Sequence, residues 1–179
     1  TWDKPSTADP FAAFKTVKDA IRSKTGTELT VAIMNSYTFN LLSKTDAVKN
    51  RYLTANGLSL GYLTENEVKA VVEATSGLRI AVYDKQYRDE SKAPHKFVPD
   101  GYVCLIPDGS LGGTWYGTTP EEADLRGAAN AEVSIVNTGV AITRTIQEHP
   151  VNTNIFASEI VLPSFERMDE VAVLNVLGE

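Results

Sequence analysis

Hydrophobic side chains recur at helical spacing in two segments of the chain. In the first segment, four apolar residues share one face of a helix: Phe11, Phe14, Val17 and Ile21. Asp9 can cap the N-terminus of this helix, Pro10 suits its first position, and Gly26 suits the residue after its end. The pattern therefore predicts a helix over residues 10–25.

The second segment begins with a capping-box pattern. Thr64 stands three residues before Glu67, so each side chain can bond the other residue's backbone N–H. An apolar stripe follows, and Gly77 suits the end of the helix: the stripe residues are Val68, Val71 and Val72. Two shorter helices are predicted near residues 35–42 and from Asp46 onward.

The remaining apolar segments have the length and spacing of strands. Strands are predicted at residues 29–34, 78–84 and 102–106, and beyond Gly127 at 133–146, 154–165 and 170–177. The triplet at 137–139, Asn-Thr-Gly, suits a turn, and residues 85–96 form a polar connection. Mixed helices and strands followed by strands alone indicate an α+β fold.

Composition and charge narrow the class of protein. The chain has 179 residues, 17 basic and 23 acidic, for a net charge of −6. This balance argues against strong general affinity for nucleic acid or an anionic membrane surface. Cys104 is the only cysteine, which excludes an intramolecular disulfide and a cysteine-rich metal site. The longest apolar runs are too short to span a bilayer.

The stretch "PDGYVCLIPDGSLGGTWYGTTPEEADL" has two interpretations. Its glycines and carboxylates could belong to phosphate or sugar chemistry. However, Thr119 suits a helix N-cap with Glu122 three residues later, and adjacent Glu121 and Glu122 diverge on a helix. The glycines of "GSLGG" lack the Lys-Ser/Thr of a phosphate loop. Turns and a capped helix are therefore the favoured interpretation.

Histidine and cysteine chemistry has little support in the sequence. His95 lies in the polar connection, and His149 directly precedes a proline. Neither histidine belongs to a known nucleophile or metal motif, and Cys104 suits a small buried apolar position. We expect no catalytic residue, no metal ligand and no cofactor.

Two other groups of side chains are candidates for binding. Lys15, Lys18 and Arg22 share one face of the first helix; they are either a solvated face or a weak, sequence-independent contact with phosphate. Trp115 and Tyr116, next to glycines, could stack on a sugar or base, or pack against the core or a partner subunit.

Three segments together resemble a known family. "GLRIAVYDKQY", "KFVPDGYVCLIPDGSLGGTWYGTTPEEADL" and "PSFERMDEVAVLNV" are similar to the phage major capsid protein E family, the lambda-type branch of the Hong Kong 97-like capsid fold. The most specific part is Y-D…Y followed by P-D-G, a strand, and G-x-x-G-x-x-x-Y-G-x-T-P-E-E-x-D. The resemblance covers nearly the whole chain.

The resemblance implies an axial domain and a partial peripheral domain. Residues 1–26 and 145–165 would be peripheral, with 10–25 as the spine helix, and residues 27–144 and 166–179 would be axial. The loop at 109–116 would belong to the axial domain and make subunit contacts through Gly109, Gly112, Gly113, Trp115 and Tyr116. The family's N-terminal arm and extended loop precede the spine helix, so the chain is expected to be a C-terminal fragment.

The function implied by the resemblance is structural. The chain would be a subunit of an icosahedral phage or prophage capsid that encloses DNA, forming pentamers and hexamers and assembling in the bacterial cytoplasm. Decoration and scaffold proteins would be further partners, DNA contact would be at most weak and non-specific, and no membrane would be involved. The alternative is a non-capsid virion or carbohydrate-binding module that uses Trp115 and Tyr116; a small hydrolase is the remaining alternative.

Overall fold

The structure, a computed structural model, describes residues 1–56, 63–124, 131–137 and 139–178. Its helices are α1 (Pro10–Thr25), α2 (Ser36–Lys44), α3 (Asp46–Asn56), α4 (Glu65–Ser76) and α5 (Pro120–Asp124), with a 3-10 turn at Met168–Glu170. In the described part of the chain, no helix is both long and apolar enough to cross a lipid bilayer.

The strands are β1 (Leu29–Met34), β2 (Arg79–Val82), β3 (Gln86–Arg88), β4 (Pro94–Lys96), β5 (Tyr102–Pro107), β6 (Gly112–Tyr116), β7 (Ala131–Asn137), β8 (Val140–Gln147), β9 (Asn152–Glu159), β10 (Val161–Phe165) and β11 (Ala172–Asn175). They divide between two compact units. The first unit comprises Thr1–Gly109 and Arg167–Glu179, and the second comprises Ser110–Glu166.

The helix caps predicted from the sequence are confirmed. The Asp9 side chain accepts a hydrogen bond from the Ala12 N–H at 3.0 Å, and Gly26 ends α1 in the left-handed conformation with φ 75°. Thr64 and Glu67 form both bonds of the capping box at the start of α4, and Gly77 follows its last turn. These features are local, so the sequence spacing alone defines them.

The first unit is built on a four-stranded sheet in the order β11-β5-β1-β2. β1 runs parallel to β2 and antiparallel to β5, and β5 is antiparallel to β11. Helices α1 to α4 each contribute buried residues to the core that also contains Ala32, Met34 and Leu105 of the sheet. Burying a side chain as large as that of Met34 or Leu105 contributes about 1.5–3 kcal/mol.

The N-terminal residues take part in this core, which the sequence did not indicate. Trp2 is 3% exposed and meets the Phe14 ring edge-on at 5.6 Å between centroids. The Trp2 backbone N–H donates to the Val176 carbonyl at 2.8 Å. The segment before α1 is therefore fixed to the residues that follow β11.

The second unit contains two antiparallel sheets and the short helix α5. β7, β8 and β9 form a three-stranded meander, and β6 pairs with β10 in a two-stranded ribbon. Gly139, the last residue of the predicted turn, lies between β7 and β8 with φ 75°. Thr138, the middle residue of that prediction, lies outside the described residues.

Two predictions of irregular structure are wrong. Residues 85–96 were expected to be a polar connection, but β3 and β4 pair there as a short hairpin. Residues 109–116 were expected to be a loop, but Gly112–Tyr116 is the strand β6. β6 pairs with a strand about fifty residues later in the chain, so local spacing does not show it, and the polar strands β3 and β4 lack the apolar alternation that predicts a strand.

Candidate functional site

The β6–β10 ribbon carries the most exposed aromatic residue among those predicted to bind. Its register places Trp115 opposite Leu162 and Tyr116 opposite Val161. Trp115 is 64% exposed and Leu162 is 66% exposed, so this cross-strand apolar pair lies largely in solvent. Successive side chains of a strand point to opposite faces, so Trp115 and Tyr116 lie on opposite faces of the ribbon.

Two adjacent glycines on β6, Gly112 and Gly113, have different roles in the ribbon. A side chain at Gly112 would overlap the carbonyl of Ser164 on β10, so this position requires glycine. A side chain at Gly113 would meet nothing within 4 Å. Gly113 shares the face of Trp115, and it therefore leaves that face of the ribbon open next to the indole ring.

The exposed apolar face of the ribbon, formed by Trp115 and Leu162 above Gly113, is called the ribbon surface below. A two-stranded ribbon is marginal in water by itself, and large apolar residues left exposed together commonly mark a contact site. Of the predicted contact residues, Gly112, Gly113, Trp115 and Tyr116 lie in this ribbon. Gly109 lies at the end of the first unit, in a turn with φ 92°.

Lys15, Lys18 and Arg22 on one face of α1, called the basic stripe below, differ in their exposure and in their contacts. Lys15 and Arg22 are exposed. Lys18 is mostly buried, and its Nζ donates to the Ser76 carbonyl at 2.8 Å and lies 3.5 Å from Glu28 Oε1. A cation at the C-terminal end of α4 also interacts favourably with the helix dipole. Lys18 therefore joins α1 to α4.

The acidic run at 119–124 forms a helix start, as predicted. The buried Thr119 side chain accepts a hydrogen bond from the Glu122 N–H at 3.3 Å. Glu121 accepts from the Ser158 hydroxyl at 2.7 Å, and this bond holds the pKa of its carboxyl below the usual value. A lowered pKa keeps Glu121 ionised at neutral pH, which is the opposite of what a general acid requires.

The candidates His95 and Cys104 lie in different sheets. His95 is on β4, where its Nε2 lies 3.0 Å from Asp89 Oδ2 and its ring stacks on Tyr87. Cys104 is on β5, where burial raises the pKa of its thiol and so disfavours the reactive thiolate. Across the ranges that the structure describes, no group of three or more His, Cys, Asp or Glu residues could hold a metal ion.

Sequence reasoning missed an aromatic cluster around the β3–β4 hairpin. Phe97 contacts Tyr87 at 5.1 Å and Tyr83 at 6.2 Å between ring centroids, and all three rings are substantially exposed. The available signal was the turn-forming run Asp-Glu-Ser-Lys at 89–92, with Tyr87 and His95 on either side. Asp89 accepts bonds there from the Ser91 hydroxyl and the Ala93 N–H.

An exposed apolar ribbon is typical of a protein that acts through contacts with other macromolecules. The model of one protein family, described as phage major capsid protein E, matches residues 1–175. The chain therefore belongs to the phage major capsid protein E family, as the sequence motifs predicted. A comparison with curated protein sequences gives no match.

Solved structures with a similar fold come from phage-related proteins. One is described as a proposed capsid protein of a prophage in E. coli CFT073: the TM-score is 0.67 at 14% identity, over 98% of this chain and 50% of that one. Another is a phage-related protein from Bordetella bronchiseptica RB50, with TM-score 0.55 at 14% identity, over 97% of this chain and 51% of that one. The chain thus spans about half the length of both. The α+β fold is confirmed.

Proposed function

We propose that this chain is part of a structural subunit of an icosahedral phage or prophage shell that encloses packaged DNA. The observation that carries the proposal is the match of the capsid family model to residues 1–175, together with a fold shared with phage-related proteins. Copies would join in pentamers and hexamers in the cytoplasm of the bacterial host and remain in the virion. In such a closed assembly, many modest interfaces add to a stable container.

The Hong Kong 97-like domain assignment belongs to this proposal. Residues 1–26 and 145–165 would form the peripheral part, and residues 27–144 and 166–179 the axial part. Supporting the role of spine, α1 has 16 residues and is the longest helix in the described ranges, about 24 Å at 1.5 Å per residue. Its caps at both ends fix its length.

The ribbon surface would be a contact between subunits, made by Trp115 with its neighbours Gly112, Gly113 and Tyr116. Supporting this, Trp115 and Leu162 expose a paired apolar surface, and aromatic residues are enriched at protein interfaces. Gly109 remains a proposed contact residue at its turn. Decoration and scaffold proteins are proposed partners that would meet the assembled shell.

A carbohydrate-binding module built from Trp115 and Tyr116 has less support than the shell. Sugar recognition by both rings together needs a common platform, but strand alternation places these side chains on opposite faces of the ribbon. In the hydrolase alternative, Glu121 would be unsuited to the role of general acid, because the bond from the Ser158 hydroxyl lowers the pKa of its carboxyl.

Electron microscopy of the complete gene product tests the proposal. Expression in bacteria should give closed shells, and Trp115→Ala should reduce their yield while the separate subunits stay folded. Lys44→Gln, an exposed change on α2, is the control and should leave shells intact. Soluble, folded product that never forms rings or shells under assembly conditions would contradict the proposal.

A further inference from the structure

Helices α1, α3 and α4 line a cavity of about 420 Å³ on the side of α1 that carries the basic stripe. This volume lies within the range of small-ligand sites, about 300–1,000 Å³. Four cationic side chains line it: Lys15, Lys18, Arg22 and Arg51. Arg51 comes from α3 and was not part of the basic stripe recognised in the sequence.

Three carboxylates also line the cavity, but two of them have other roles. Asp9 accepts the hydrogen bond from the Ala12 N–H that caps α1. Glu28 lies 3.5 Å from Lys18 Nζ. Asp19 is the third, and within the described residues it forms no ion pair. Of these three carboxylates, only Glu28 has a cationic partner among the described residues.

The four cations also differ in whether a nearby carboxylate neutralises their charge. Lys18 is bound by Glu28 and the Ser76 carbonyl. The Arg51 guanidinium lies 5.4 Å from the centroid of the Phe11 ring, a stacking contact that reduces its freedom without neutralising its charge. Among the residues that the structure describes, Lys15, Arg22 and Arg51 form no ion pair. Three cationic groups on two helices thus surround one concave space with two carboxylates, Asp9 and Asp19, that form no ion pair among the described residues, so positive charge is in excess.

We propose that this cavity is a phosphate-binding site formed by Lys15, Arg22 and Arg51. The guanidinium groups present planar donors that match the oxygens of a phosphate, and the lysine adds a compact charge. The source of the phosphate is the backbone of DNA; this part rests on the proposed function, since an enclosing shell meets DNA along its inner face. One such site in each acidic subunit gives weak, sequence-independent binding.

Titration with inorganic phosphate tests the site itself. At constant ionic strength adjusted with chloride, phosphate should raise the melting temperature of the 179-residue chain, because ligand bound to the folded state stabilises it. The double variant Lys15→Gln/Arg22→Gln should bind phosphate at least about tenfold more weakly, since two charge-assisted bonds are removed. Both residues are exposed, so the variant is expected to fold.

The matched control is Lys44→Gln/Arg88→Gln, which removes the same charge from exposed positions on α2 and β3. It should bind phosphate as the unmodified chain does. Two results would overturn the site. One is a melting temperature in phosphate that is no higher than in chloride at the same ionic strength. The other is phosphate binding that weakens in the control as much as in Lys15→Gln/Arg22→Gln. A single change, Asp19→Asn, should tighten binding, and weaker binding would also count against the proposal.

Titration with a short DNA duplex tests the source of the phosphate. The slope of log K against log salt should become shallower by about 0.9 for each phosphate that the double variant no longer neutralises. Binding of inorganic phosphate without binding of the duplex would overturn the assignment to DNA. These outcomes do not depend on shell formation, so a failed site and a failed shell proposal give different results.

Discussion

Gly112 and Gly113 are neighbours on β6, yet they differ in what a side chain would meet. A methyl group at Gly112 would overlap the Ser164 backbone, while one at Gly113 would point into open space. Gly112→Ala should therefore lower the free energy of unfolding by about 1–3 kcal/mol, the usual cost of overpacking. Chemical denaturation should show this decrease, and Gly113→Ala should show little or none. An equal decrease in both variants would contradict the ribbon register.

Glu67 is a second residue whose hydrogen bonds give a measurable effect. Its carboxylate accepts bonds from the Tyr52 hydroxyl at 2.5 Å and from the Thr64 N–H at 2.7 Å. These bonds, that from Tyr52 first, lower the pKa of Glu67 below its ordinary value of 4.5. The bonded form is the charged one, so its stabilising effect is present above the unfolded-state pKa and is lost as pH falls through the folded-state pKa.

The unmodified chain should lose stability as pH falls from neutral to below 4.5, because the Glu67 carboxylate becomes protonated. Glu67→Gln should lose less stability over the same pH range. Urea unfolding at several pH values measures this dependence. Glu73→Gln is the control, because Glu73 lies exposed on the same helix. An acid dependence of Glu67→Gln that equals that of the unmodified chain would show that the capping-box bonds do not stabilise the folded state.

At the scale of elements, the packing of α1 against α4 depends on Lys18. Its Nζ donates to the Ser76 carbonyl at the end of α4, and its side chain is 18% exposed. Lys18→Met keeps the aliphatic chain but removes the charge, so it should cost about 1–2 kcal/mol of stability. Lys15→Met, one turn earlier and exposed, should change stability by no more than about 0.5 kcal/mol.

Unfolding followed by circular dichroism distinguishes the two lysines. If Lys18→Met is as stable as Lys15→Met, the bond to Ser76 makes no net contribution and Lys18 returns to the candidates for phosphate binding. The comparison also separates two roles that sequence spacing cannot separate. All three basic residues share one helical face, but only the packing between helices shows which of them is held by a hydrogen bond or an ion pair.

At the scale of the whole molecule, the two tryptophans should respond to truncation in different ways. Trp2 is 3% exposed within the core, and Trp115 is 64% exposed on the ribbon surface. Trp2→Ala should cost about 3–5 kcal/mol, while Trp115→Ala should change the stability of the separate chain by no more than about 0.5 kcal/mol. Thermal unfolding measures both effects. A large destabilisation by Trp115→Ala would place its role in folding and weaken its role at a subunit interface.

How far the fold was predictable depended on the distance between interacting residues and on how clear the local hydrophobic pattern is. α1 and α4 were predicted with their caps, because Asp9, Gly26, Thr64 and Gly77 act within one helical turn. β1 was predicted with its observed bounds because Leu29 and the apolar residues 31–34 form a short run that only Thr30 interrupts. The strand β6 was missed because its partner β10 lies about fifty residues away, and the hairpin β3–β4 was missed because its strands are polar and show no apolar alternation.

The candidate surfaces were also predictable only as far as local sequence motifs define them. The motifs indicated the capsid family and Trp115 as a candidate for subunit binding, whereas its pairing with Leu162 follows from the strand register alone. Likewise, Arg51 is far from Arg22 along the chain, and the packing of α3 beside α1 brings both to one cavity.

The sequence by itself determined the helix ends, the main buried strands, the α+β class and the family, because caps, periodicity and motifs are encoded in neighbouring residues. Tertiary structure alone decided that Trp2 is buried, that Lys18 is bound to α4, that Gly112 lies against the Ser164 backbone, and that Trp115 is paired with Leu162 in solvent. Each of these depends on an interaction between residues far apart in the chain, and the free energy of such interactions is set by packing that no local pattern specifies.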